Sequence, residues 1–222
     1  MRRILRDQSL TLAMLGIFAV LLVAQSLTGE REYNQDQAEH GEATVGYAEY
    51  LQTGHFVEAT FENWESEFLQ MGMYVLLTAY LFQRGSSESK DPDDDDEAVD
   101  QDPRLARNQQ DAPWPVRRSG FVLTLYNNSL SGALLLIFLI CFVLHAWGGA
   151  MEYSQEQIAH GGEGVSTLGF METSSFWFQS FQNWQSEFLA VGALSILSVF
   201  LRQKGSPESK PVADPHRSTG TS

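Results

Sequence analysis

Hydrophobic and polar positions fall into blocks along the chain. Two long apolar runs, Leu10 to Ala24 and Gly132 to Trp147, are separated by polar segments from two shorter ones, Phe68 to Phe82 and Phe188 to Leu201. A helix rises about 1.5 Å per residue, so crossing a hydrocarbon core of about 30 Å takes about 20 residues. Residues 10–28 and 121–147 reach that length by themselves. The shorter runs reach it only with the aromatic stretch ahead of each, which sets further spans at 61–83 and 181–202. Thr53 and Thr173 or Ser174 stand where N-caps are expected. Trp64, Trp184, Phe61, Phe181, Phe176, Trp177 and Phe178 have the composition of an aromatic belt at the membrane surface.

The blocks are two copies of one pattern. NWxSEFL occurs as Asn63, Trp64, Ser66, Glu67, Phe68 and Leu69, and again 120 positions on as Asn183, Trp184, Ser186, Glu187, Phe188 and Leu189. At the same offset Glu32 and Tyr33 pair with Glu152 and Tyr153, His40 and Gly41 with His160 and Gly161, and Gln83, Gly85, Ser86, Glu88, Ser89 and Lys90 with Gln203, Gly205, Ser206, Glu208, Ser209 and Lys210. A constant offset over such a length is a tandem duplication. The basic start, with Arg2, Arg3 and Arg6 ahead of an apolar run, also fits a cleaved signal peptide. Register decides between the two readings. Ile17, Phe18 and Val23 match Ile137, Phe138 and Val143, in a copy that no signal peptide can occupy, so both runs read as transmembrane helices.

The expected fold is therefore all-α: an integral membrane four-helix bundle made of two tandem two-helix repeats. The first repeat covers 7–90 and the second 121–206, with an acidic linker at 91–118 and a tail at 207–222, both expected to lack fixed structure. All of the 14 Lys and Arg except Arg31 then fall on the side of the N-terminus, linker and tail. The positive-inside rule places that side in the cytoplasm, in a cell inner membrane with both termini inside. An even number of spans per unit makes the repeats parallel, related by an axis along the membrane normal.

At NWxSEFL and at LRQKGSPESKPV, Leu201 to Val212, the chain resembles a family of small prokaryotic integral membrane proteins of unknown function that carry the repeated motif. The likeness covers most of both repeats and leaves out the linker. SFQNWQSEFL in the second copy is the nearer match; the first departs with Glu62 and Glu65 where the second has Gln182 and Gln185. The resemblance implies a membrane protein and supplies no activity.

Charge narrows the function classes. The net charge is -14, concentrated in DPDDDDEAVDQDPR, and no basic patch is present to displace counterions from phosphates, so nucleic acid is not an expected partner. A single cysteine, Cys141, inside an apolar run reads as packing. Nucleophile elbow, phosphate loop, HExxH and paired CxxC are all missing, so no enzyme activity and no cofactor is expected.

Glu67 and Glu187 are the leading candidates, about 22 to 25 Å above the basic ends of their helices. Asn63 and Asn183 lie one turn before them and Ser66 and Ser186 adjoin the same face, with Trp64 and Trp184 between. Ionisable groups at such depth mark a functional or fastening site. Tyr33, Gln37 and His40 fall at i, i+4 and i+7 of a helix that Gly41 would end, repeated by Tyr153, Gln157 and His160. Two histidines and two glutamates suit zinc, manganese or iron. If the first helix runs straight through Gly29, however, His40 stands about 20 Å above Glu67; only breaks at Gly29 and at Gly148 and Gly149 bring them together, so no metal ligand is expected. The reading that follows is a membrane binding or interaction module, in contact with the bilayer, with an outer partner and a possible homo-oligomer. The alternative is a small oligomeric transporter or channel with a glutamate site between the repeats; a membrane enzyme ranks last.

Overall fold

The computed structural model describes residues 6–94 and 97–220; Arg2, Arg3, Asp95 and Asp96 lie outside the described residues. Among them all regular structure is helical: α1 Ser9–Glu39, α2 Tyr47–Tyr50, α3 Gly54–Thr78, α4 Trp114–Arg118, α5 Gly120–Asn127, α6 Ser129–Ala159, α7 Thr167–Met171 and α8 Ser174–Phe200, with a 3-10 turn at Pro103–Ala106. Helices α1 and α6, 31 residues each, are the two among the described residues that are long and apolar enough to cross a membrane. Only 6% of the apolar stretch of α1 and 22% of that of α6 is buried, whereas a soluble core helix hides most of such a stretch.

Local chemistry sets the helix ends. Thr53 and Thr173 cap α3 and α8, each Oγ1 accepting the N–H three residues on, from Phe56 and Phe176, at 3.3 Å. The helices thus begin ahead of 61 and 181, and the whole aromatic stretch is helical. Residues 121–147 are not one rod. Asn128 leaves helical geometry between α5 and α6, with φ -113° and ψ 16°, and its Nδ2 donates to the Thr124 carbonyl at 2.8 Å. A short amide side chain competes in this way for backbone partners.

The linker and tail, expected to be featureless, carry local order. Asp102 caps the 3-10 turn by accepting the Arg104 N–H, and Ala112, Val116 and Leu123 close a small apolar cluster. In the tail the buried Lys210 ammonium collects the carbonyls of Pro215, His216 and Ser218 at 3.4, 3.0 and 2.7 Å. A compact charge taken from water requires such partners.

Positions 120 apart repeat their bonds. Ser66 and Ser186 donate to the carbonyls of Asn63 and Asn183 at 2.7 and 2.8 Å; Ser89 and Ser209 accept from the Gln83 and Gln203 amides at 2.8 and 2.9 Å.

The chain forms two compact units. One comprises Met1–Phe61 and Val143–Phe176, the other Glu62–Phe142 and Trp177–Ser222. In the first, α3 enters against α6 backbone to backbone: a Cβ on Gly54 would lie 2.6 Å from the Glu152 nitrogen, and one on Gly148 would lie 2.6 Å from the Glu58 nitrogen. Glycine is what permits that approach. The rings of Tyr33, Tyr50 and His55 close a triangle with centroids 5.6 to 5.8 Å apart. In the second unit the Trp184 ring meets Phe138 at 6.1 Å and Phe181 at 5.6 Å, and Cys141 is buried and unpaired as a disulfide.

Candidate functional site

The first unit contains a polar cleft of about 180 Å³, built where α1 and α6 end. Both helices stop in the same way. Gly41 and Gly161 take φ of +76° and +80°, and the following amides, of Glu42 and Gly162, return to the carbonyls of Gln37 and Gln157 at 2.8 Å. His40 and His160 thereby follow directly on the last residues of their helices, each ring Nδ1 bonded to the carbonyl four residues back, of Asp36 at 2.9 Å and Glu156 at 2.8 Å. The cleft is lined by these two histidines with Asp36, Glu42, Glu152 and Glu156. The bond to the Asp36 carbonyl, followed by the Asp36 carboxylate, raises the His40 pKa above that of a free imidazole.

Glu152 differs from the other acids of this cleft. It is half-buried, whereas its counterpart Glu32 is exposed. The close entry of α3 at Gly54 covers it, and burial, then the Glu58 charge, pushes its pKa up to about 7 against a lowering bond from the His55 amide. Its Oε2 is sealed from solvent with no hydrogen-bond partner among the described residues. Behind it, a carboxylate oxygen of Glu58 and a ring nitrogen of fully buried His145 lie within 4.8 Å of each other, and the His145 ring stacks on Phe176 at 5.0 Å.

Tyr33 is buried and its hydroxyl donates to Gln155 Oε1 at 3.4 Å; Tyr153 packs on Phe170 at 5.5 Å. The condition for joining the histidines to Glu67 and Glu187 is not met, because α1 runs unbroken through Gly29 and α6 through Gly148 and Gly149. Neither glutamate lines the cleft.

In the second unit the buried acid is Glu65, fully enclosed and accepting from Ser180 Oγ at 2.9 Å and Trp184 Nε1 at 3.1 Å. Asn183 Nδ2 donates to Glu62 at 2.7 Å. Of the repeated motif, Glu67 and Asn63 are exposed, Glu187 and Trp64 are half-buried, Ser66 is buried and Ser186 exposed. Glu67 and Glu187 lie near enough for their charges to interact. The sequence carried one sign of Glu62 and Glu65: they are acids where the second copy has amides.

No curated protein and no solved structure matches the chain. The family model described as a domain of unknown function (DUF6766) covers residues 1–221, and the protein belongs to that family.

Proposed function

We propose that this protein is a multi-pass membrane binding module: two parallel two-span repeats with both termini cytoplasmic, presenting the cleft at the ends of α1 and α6 to a positively charged partner on the outer side. The observation that carries the reading is the cleft itself, where four carboxylates and two histidines surround about 180 Å³ beyond the apolar part of both helices. The exposed apolar faces of α1 and α6 support the membrane setting, since apolar surface of that extent is stable against lipid and not against water. Spermine is a suitable probe, because its amines match a carboxylate-lined space in charge and its length lets it engage several groups at once. Calorimetric titration of the detergent-purified full chain should show spermine binding that is lost in Asp36→Asn plus Glu42→Gln plus Glu156→Gln. A variant neutralised equally in the linker, at Asp91, Asp93 and Asp94, should keep it. Equal loss in both variants would reduce the effect to bulk charge and remove the reading.

One observation favours the runner-up, an oligomeric ion or proton carrier: Glu65 is fully enclosed in a largely apolar helix, a placement characteristic of ion pathways. Proteoliposome flux that depends on Glu65 would support it, and a strictly monomeric protein without flux would dismiss it.

A further inference from the structure

We propose that Glu152 is a proton-binding site on the floor of this cleft, taking up and releasing one proton. It rests on the reading of the cleft as a ligand site only in naming the proton as a competitor of the cation. The geometry has three parts. Glu152 lines the cleft, so protons reach it from water. One of its oxygens is sealed and unpartnered, a costly position for a carboxylate and a tolerable one for a neutral acid. The close backbone contact of α3 with α6 at Gly54 and Gly148 places that environment over Glu152.

The groups facing Glu152 sort by sign. Tyr33 and Asp36 come from α1, Tyr50 from α2, and Glu58 from α3 with the His55 amide at the first turn of that helix; Glu156 lies one turn on along α6. His40, Glu42 and His160 complete the cleft. Asp36, Glu58 and Glu156 oppose ionisation, and the His55 amide with the positive end of α3 favours it. Glu58 in turn has a carboxylate oxygen within 4.8 Å of a ring nitrogen of the buried His145. The second repeat's acid is covered by an incoming helix and the first repeat's Glu32 is not, which makes the site single rather than paired.

Infrared titration of the full chain in nanodiscs between about pH 5 and 9 tests the proposal through the carbonyl stretch of protonated carboxyls. The wild type should lose one such band with a midpoint of about 7. Glu152→Gln should lack that step. Glu58→Gln, which leaves Glu152 intact, should keep the step at a lower midpoint, because one opposing charge is gone. A wild type with no carboxyl titrating above about pH 6, a step that survives in Glu152→Gln, or a midpoint unmoved by Glu58→Gln would each overturn it. Spermine titration of the same sample keeps the two readings apart. A step without spermine binding leaves the proton site and removes the cation reading; spermine binding without a step does the reverse.

Discussion

The indole nitrogen of Trp184 donates to the carboxylate of Glu65 at 3.1 Å, and Ser180 donates to the same oxygen at 2.9 Å. A tryptophan repeated in both copies thus meets an acid found in only one. Trp184→Phe removes a donor from a fully enclosed carboxylate and should cost about 1 to 3 kcal/mol in thermal or denaturant unfolding. Glu65→Gln, which installs the residue of the second copy, should cost less, since an amide oxygen still accepts both bonds.

Stability should fall as pH rises through neutrality. The Glu152 pKa is raised by folding, to about 7, so the folded state holds the proton more tightly than the unfolded one. Its stabilising contribution is complete below the ordinary carboxylate pKa and is lost as pH rises through about 7. Glu152→Gln should flatten that fall, by on the order of 2 to 3 kcal/mol between about pH 5 and 8. The lowered pKa of half-buried His55 acts in the opposite direction, adding stability as pH rises, so the difference between wild type and variant is the quantity to read. A slope unchanged by the substitution would remove the assignment.

Two glycines inside long helices, Gly148 of α6 and Gly192 of α8, should respond differently. Gly148→Ala places a Cβ 2.6 Å from the Glu58 backbone nitrogen and should destabilise by about 1 to 3 kcal/mol. Gly192→Ala meets nothing within 4 Å and should be neutral or stabilising by up to about 1 kcal/mol. Melting temperatures of the two purified variants settle the contrast.

Tail order depends on Lys210. Lys210→Met keeps most of the stem but gives up the bonds to the carbonyls of Pro215, His216 and Ser218. Limited proteolysis should then cut after Arg217 several-fold faster than in the wild type, with no change in the melting of the helices. Equal cleavage rates would mean the clamp is not what orders the tail.

What was legible in the sequence was local. The ends of α1 and α6 at Gly41 and Gly161, and the caps at Thr53 and Thr173, are decided by bonds between residues three to five apart, which spacing alone reveals. Repetition marks Glu67. Glu65 lies only two residues earlier, about 200° around the helix, and α3 is mixed enough that its inward face cannot be read from its own pattern. The useful sign was inequality, since Glu58, Glu62 and Glu65 at i, i+4 and i+7 stand against Phe178, Gln182 and Gln185. Burial of Glu152 was out of reach, because it depends on where α3 enters against α6 and not on the neighbours of Glu152. The repeat pairs His40 with His160 in the sequence, but their company in the cleft, Glu152 rather than Glu67, follows from unbroken helices at Gly29 and Gly148.

The most direct measurement is sidedness. Single cysteines at Ala43, Glu163, Ala98 and Ala213, all exposed, placed in a Cys141→Ala background, would be labelled in intact cells with a membrane-impermeant maleimide. Four spans with an outer cleft require Ala43→Cys and Glu163→Cys to react at once, and Ala98→Cys and Ala213→Cys only after permeabilisation. Labelling of all four alike, or of the loop and linker positions on the same side, would contradict the proposed architecture and with it the outer binding site.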